Sequence, residues 1–234
     1  MPHPNTGTAR DKGDAGHEVL AAVLQVRDGR LRVLLWQRAR QPHQGRWSLP
    51  GGRLRADEDV ETSIRRQLAE KVDVHTLSHV EQLAVFSAPD RVPGHRVVAT
   101  AFLGLVPSDL DPAVPADTSW HPADDLPPTA FDHARIVPAA RDRLRAKLSY
   151  TNIGFALAPA EFTVSELRRI YSAALGYQIA ATNLQRVLSR RGVLRATGRT
   201  VAAGPAGGRP PALFAFTSRD LQVTDPFAVL RPPT

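Results

Sequence analysis

The segment Trp47–Val74, WSLPGGRLRADEDVETSIRRQLAEKVDV, constrains the fold more than any other stretch of this chain. Trp47-Ser48-Leu49 enters it as a short strand, Pro50-Gly51-Gly52 interrupts it, and Val60, Ile64, Leu68 and Val72 then recur every four residues. That period is helical, and its apolar stripe must lie against another layer to leave water. The expected helix is Asp57–Val72, with Asp57 as N-cap and Glu58 and Asp59 in the first turn, where the helix dipole favours anions. Gln67, Glu70 and Lys71 stand at i, i+3 and i+4 and so share one face.

The flanking sequence supplies a sheet. His17–Val26 and Leu31–Gln37 are β-rich runs around Arg27-Asp28-Gly29-Arg30, a hairpin with its turn at Asp-Gly. Trp47–Leu54 is a short strand interrupted by Pro50-Gly51-Gly52. Leu77–Phe86 and Arg96–Val106 are strands joined by a Pro/Gly loop at 87–95. Residues 107–129 are Pro-rich and mostly loop. Ala130–Lys147 is a helix in which Pro138 marks a kink or a break. Hydrophobic residues make up 42% of the chain, enough for a packed core, whereas residues 1–16 are polar and expected to be a disordered tail. Cysteine is absent, which excludes disulfides, thiolate zinc sites and cysteine nucleophiles and fits a cytoplasmic protein. The N-terminal stretch has no apolar signal region, and no run approaches the roughly 18 apolar residues of a membrane span.

A second unit is expected over 151–234, with the boundary near 148–160. It holds ten arginines, no lysine and four acids, so six of the chain's formal +7 charges sit there. No acid occurs between Leu167 and Ser218, an asymmetry that points to a polyanion. Thr163–Leu175 is an amphipathic helix with Thr163 as N-cap and Glu166 completing a capping box, and Gly176 is its stop. Ala181–Arg191 is a second helix. Val193–Arg195 and Ala212–Phe216 are short strands around a Gly/Pro/Arg loop at 196–211. Helix, turn, helix and ribbon is the order of a winged helix-turn-helix. Thr182, Asn183, Gln185, Arg186 and Arg190 on the second helix are the candidate DNA-contacting residues, with Arg199 and Arg209 on the wing. Leu184, Val187 and Leu188 are expected to pack inward, and Phe162 and Tyr171 to pack in the core or linker.

Residues 52–74 resemble the Nudix box: Gly52, Glu58, Arg66, Leu68, Glu70 and Val74 match it, and Trp47-Ser48-Leu49-Pro50-Gly51-Gly52 is similar to its usual lead-in. Gln67, Lys71 and Asp73 stand where the pattern has Glu, Glu and Gly. The resemblance implies an α/β (α+β) fold over 17–150, an α/β/α sandwich with a mixed sheet, and in active members a magnesium site built from carboxylates on the shared face. Here that face has one neutral and one cationic side chain, so no metal, no required cofactor and no catalytic residue is expected. A binding pocket remains, with Arg46, Trp47, Arg53, Glu70, Lys71 and Arg91 as candidate contacts to a nucleotide such as ADP-ribose. Segments AFDHARIV, FTVSELRRIYSAALG, ATNLQRVLSRRGVL and GGRPPALFAF, taken with the broken box, resemble Nudix-related transcriptional regulators of NAD metabolism. That resemblance implies a homodimeric repressor of NAD-synthesis or salvage genes, associated with the nucleoid, binding a palindromic operator on double-stranded DNA and responding to ADP-ribose. Asp132 is expected to cap the helix that follows it and His133 to shape the pocket or a domain contact. Two other readings stay open: a pyrophosphatase whose metal ligands are displaced to Glu58, Glu70 and Glu81, and a non-specific nucleic-acid binder.

Overall fold

A computed structural model describes residues 15–72, 74, 77–201 and 210–225. Strands β1 (Gly16–Arg27) and β2 (Arg30–Gln37) form the expected hairpin. Arg27 pairs with Arg30, and the two turn residues, Asp28 and Gly29, both have positive φ (51° and 71°), as a primed turn requires. Gly16 belongs to the strand rather than to the tail; the rest of the expected tail, apart from Ala15, lies outside the described residues.

The remaining strands are β3 (Trp47–Ser48), β4 (Gly51–Arg53), β5 (His79–Phe86), β6 (Val97–Leu105) and β7 (Thr118–Pro122). They complete a seven-stranded mixed sheet in the order β3-β2-β1-β6-β5, with β4 also on β1 and β7 on β2. β1 runs parallel to β6 and antiparallel to β2 and β4. The side chains of β1 alternate between two layers, as a strand buried on both faces must. Val19, Ala21 and Val23 pack under helix α1 (Val60–Val72) with Ile64, Leu68 and Val72. Leu20, Ala22 and Leu24 face helix α2 (His133–Tyr150) with Ile136, Val137, Ala140 and Leu144. This is the α/β/α sandwich.

Several local expectations are corrected. β7 falls in the Pro-rich stretch read as mostly loop; five register pairs with β2, from Thr118–Trp36 to Pro122–Arg32, hold it as a strand. α1 starts at Val60, and its cap is Asp59, whose Oδ1 accepts from Thr62 N at 2.7 Å; Asp57 and Glu58 precede the helix. α2 continues through Pro138 without a break.

After α2 come a single 3-10 turn (Ile153–Ala156), helices α3 (Val164–Leu175) and α4 (Ala181–Arg190), and the ribbon β8 (Leu194–Thr200) with β9 (Ala212–Phe216). Thr163 Oγ accepts from Glu166 N at 3.1 Å, so α3 is capped by the hydroxyl half of the expected box, and Gly176 ends it with φ 82°. β8 extends to Thr200, so the first strand of the ribbon is longer than expected. This unit is a winged helix. It shares one apolar cluster with the sandwich: Leu144 and Leu148 of α2, Phe155 of the 3-10 turn, Ile170 and Tyr171 of α3 and Leu184 of α4 are buried together. Phe162 and Tyr171 are therefore core residues. Among the described residues no helix is long and apolar enough to cross a membrane.

Candidate functional site

The glycine loop is seated against the sheet. A Cβ at Gly51 would lie 2.1 Å from the Val19 carbonyl oxygen, and one at Gly52 would lie 2.6 Å from the Gln67 amide. At Gly51, with φ 154°, only glycine lets β4 lie this close to the backbone of β1, whereas a side chain at Gly52 would have to displace the Gln67 amide of α1. The loop backbone is thereby held over the face that carries Gln67, Glu70 and Lys71.

That face is closed by its own side chains. Arg66 grips Glu58 through two bonds, of 2.9 and 2.5 Å, and reaches Glu70 at 3.1 Å. Glu58 also accepts from Arg55 N at 2.9 Å. The Arg66 guanidinium, with that amide, holds the Glu58 carboxyl at about 2. Gln67 is buried, its amide nitrogen 3.5 Å from the Arg53 carbonyl oxygen. Lys71 donates to the Gly51 carbonyl and sits over the Trp36 ring at 5.1 Å. Burial, then the charge of Arg38, moves the Lys71 pKa down. Its ammonium is thus a built-in cation on the carbonyl of the glycine loop. The residues present do not fit a divalent cation: the two motif carboxylates are bound by a guanidinium and the third donor is an ammonium. Among the described residues no group of three or more His, Asp or Glu is arranged to hold a metal.

The other pocket candidates divide. Arg46 and Arg53 are exposed and free of side-chain partners among the described residues. Trp47 is half-buried, with its ring edge-on to His121 at 4.2 Å. Arg91 corrects the expectation of a loop arginine free for phosphate. Its side chain is 0% exposed, bonded to Glu18 of β1 at 2.6 Å and to Asp132 at 3.0 and 2.8 Å. The loop folds inward because two carboxylates wait there. Asp132 stands at the expected N-cap position of α2, but its side chain makes no cap hydrogen bond; its carboxylate serves Arg91 instead.

On the winged helix, Leu184 and Leu188 point inward, Val187 is half-buried, and Thr182, Asn183, Arg186 and Arg190 are exposed. Gln185 is half-buried. Arg186 donates to Asn183 at 2.8 Å, while Arg190 has no partner among the described residues. Arg199 on β8 pairs with Glu161 at 2.8 Å but remains mostly exposed. Arg209 lies outside the described residues. α4 therefore offers a polar, acid-free face of the kind that enters a major groove.

Residues 16–140 match the NUDIX domain family and residues 154–216 match the NrtR DNA-binding winged helix domain. A crystal structure of Shewanella oneidensis NrtR complexed with a 27mer DNA aligns at 32% identity and a TM-score of 0.75, covering 86% of this chain and 93% of that one. The chain belongs to the NrtR family. The ADPR responsive transcriptional repressor NtrR of Acinetobacter baylyi is 29% identical over 215 residues, which is 88% of this chain and 83% of the relative. A cocrystal structure of the NUDIX domain of Shewanella oneidensis NrtR complexed with ADP ribose aligns at 33% identity and a TM-score of 0.50, covering 56% of this chain and 89% of that one.

In this member of the NrtR family, an aromatic and basic cluster beside β3 was not foreseen from sequence. Phe131, at φ 51°, lies under the Arg38 guanidinium (4.8 Å) and edge-on to His43 (4.9 Å). His133 is buried next to it, its Nδ1 accepting from Leu49 N at 3.0 Å, so the neutral ring carries its proton on Nε2. The segment AFDHARIV signalled the place but not the partners, which come from other elements. Burial pushes the His133 pKa down from 6.5 to about 3. As pH falls the unfolded chain takes up this proton first. The stability that neutral His133 contributes is complete above pH 6.5 and is lost as pH approaches 3. Replacing His133 with Gln is expected to flatten the loss of stability between pH 7 and 5 by about 2 kcal/mol in urea titrations. An unchanged pH dependence would contradict the burial of a neutral imidazole.

Proposed function

We propose that the chain is a homodimeric transcriptional repressor of NAD biosynthesis or salvage genes. Each α4 reads one half of a palindromic operator, and ADP-ribose held by the Nudix-like domain weakens that binding. The observation that carries the sensor reading is the Lys71 ammonium on the Gly51 carbonyl, with Glu58 and Glu70 bound to Arg66. Such a site holds a diphosphate by charge and hydrogen bonds and has no metal-activated water to break it. The free guanidiniums of Arg46 and Arg53 and the ring of Trp47 are the proposed further contacts. The displaced-ligand hydrolase is disfavoured by Glu81. Burial pushes its pKa up, but His79 and Lys147 hold it at about 2. Its carboxylate is bonded to His79 at 3.0 Å and to Lys147 at 2.9 Å, on β5, so it is not free to join Glu58 and Glu70.

For effect to follow from binding, ADP-ribose must favour one orientation of the two units over the other. Calorimetry tests the pocket. Lys71→Ala is expected to weaken ADP-ribose binding about tenfold, the loss of roughly one charge-assisted hydrogen bond. Wild-type protein incubated with ADP-ribose and Mg²⁺ is expected to release no AMP above the uncatalysed rate. Unaltered affinity in Lys71→Ala would remove Lys71 from the site, and turnover in wild type would restore the enzyme reading.

A further inference from the structure

A cleft of about 460 Å³ lies between the two units, away from the glycine loop. Arg30 at the β1–β2 turn, Arg141 and Arg145 of α2, and Arg168 and Arg169 of α3 all line it. Their separation in sequence hides the cluster; the packing of α3 against α2 and the hairpin assembles it.

The charges do not balance. Arg30 pairs with Asp124 at 2.9 Å, and Arg141 and Arg145 share Asp142 at 3.6 and 3.9 Å. Both acids are largely exposed. Arg168 donates to the neutral Gln178 at 3.2 Å, and Arg169 has no partner among the described residues. Five guanidiniums thus answer to two carboxylates. Nε of Arg141 is buried without a hydrogen bond, 3.6 Å from the Asp142 carboxylate. Arg145 is held in place, its Nε donating to the Ala174 carbonyl at 3.3 Å and its guanidinium passing where a Cβ at residue 176 would stand, 2.5 Å away. Tyr177 at the rim is 61% exposed and offers a bare aromatic face beside the arginines. The volume falls in the range of small-molecule sites, and guanidinium forks are suited to phosphate oxygens.

We infer that this cleft binds a small phosphate-bearing anion of the di- or triphosphate class, at a site separate from the Nudix-like pocket. Its occupant bridges the hairpin and α2 to α3 and so fixes the winged helix against the sandwich. A recessed cleft between units suits a small ligand better than the backbone of a duplex.

The test is calorimetry of inorganic pyrophosphate with the full chain. Wild type is expected to bind with a Kd of about 1 mM or tighter. Arg169→Gln removes an exposed, unpartnered side chain, so folding is not at risk, and Arg141→Gln/Arg169→Gln extends the test. Both are expected to weaken pyrophosphate at least about tenfold while ADP-ribose affinity stays unchanged. No binding at about 10 mM, or equal binding by wild type and both variants, would overturn the site. So would parallel loss of ADP-ribose binding, which would make the two sites one. Loss of operator affinity in Arg169→Gln without pyrophosphate present would overturn it in favour of a DNA-backbone contact.

Discussion

Replacing Arg91 with Met is expected to destabilise the fold by about 3–5 kcal/mol, the usual effect of removing one partner from a buried ion pair. The substitution keeps much of the stem's volume but leaves Glu18 and Asp132 facing each other with no cation between them. The Arg91 side chain has no exposure to water, so solvent cannot replace it cheaply. In a chain of this size the loss corresponds to a melting temperature lower by about 10 °C. Asp132→Asn in the same chain should recover part of the stability. Urea denaturation measures both, and a deficit below about 1 kcal/mol would show that the triad is energetically neutral.

The second large effect is on DNA. Arg186→Ala/Arg190→Ala is expected to reduce operator affinity by about thirtyfold or more, at about 1–3 kcal/mol per residue. Both side chains are exposed on α4, so the melting temperature should not move. Their roles separate by salt dependence. Removing an arginine that reads a base relaxes sequence preference, whereas removing one that neutralises a phosphate lowers the salt slope by about one per residue. If the double variant binds operator as wild type does, α4 does not enter the groove.

What the sequence made legible was what depends on near neighbours. The Val60–Ile64–Leu68–Val72 stripe, the Asp28-Gly29 turn and the Thr163 cap each need only a few adjacent residues, and each has its counterpart in the structure. The cap of α1 lies two residues beyond its expected place: Asp59 accepts from Thr62 N, while Glu58 is held by Arg66, an i to i+8 contact that no local rule reports. β7 escapes a reading of local composition because what makes it a strand is its partner β2, about 85 positions away, not its own Pro-flanked residues. The burial of Arg91 has the same origin: Glu18 and Asp132 lie 73 and 41 positions from it. At the Nudix-like site the identities of Gln67 and Lys71 are readable and their chemistry can be argued. That Lys71 reaches the Gly51 carbonyl, 20 positions back, requires the loop to be laid over the helix.

The proposed sensor holds ADP-ribose intact and transmits its presence to α4. It is tested most directly by fluorescence anisotropy of an operator duplex with the full chain at fixed salt, titrated with ADP-ribose and followed by recovery of the nucleotide. The expected result is an operator affinity lowered at least about tenfold, a coupling of about 1.4 kcal/mol, with ADP-ribose recovered unchanged. Operator binding indifferent to ADP-ribose, or ADP-ribose recovered as AMP, would contradict it.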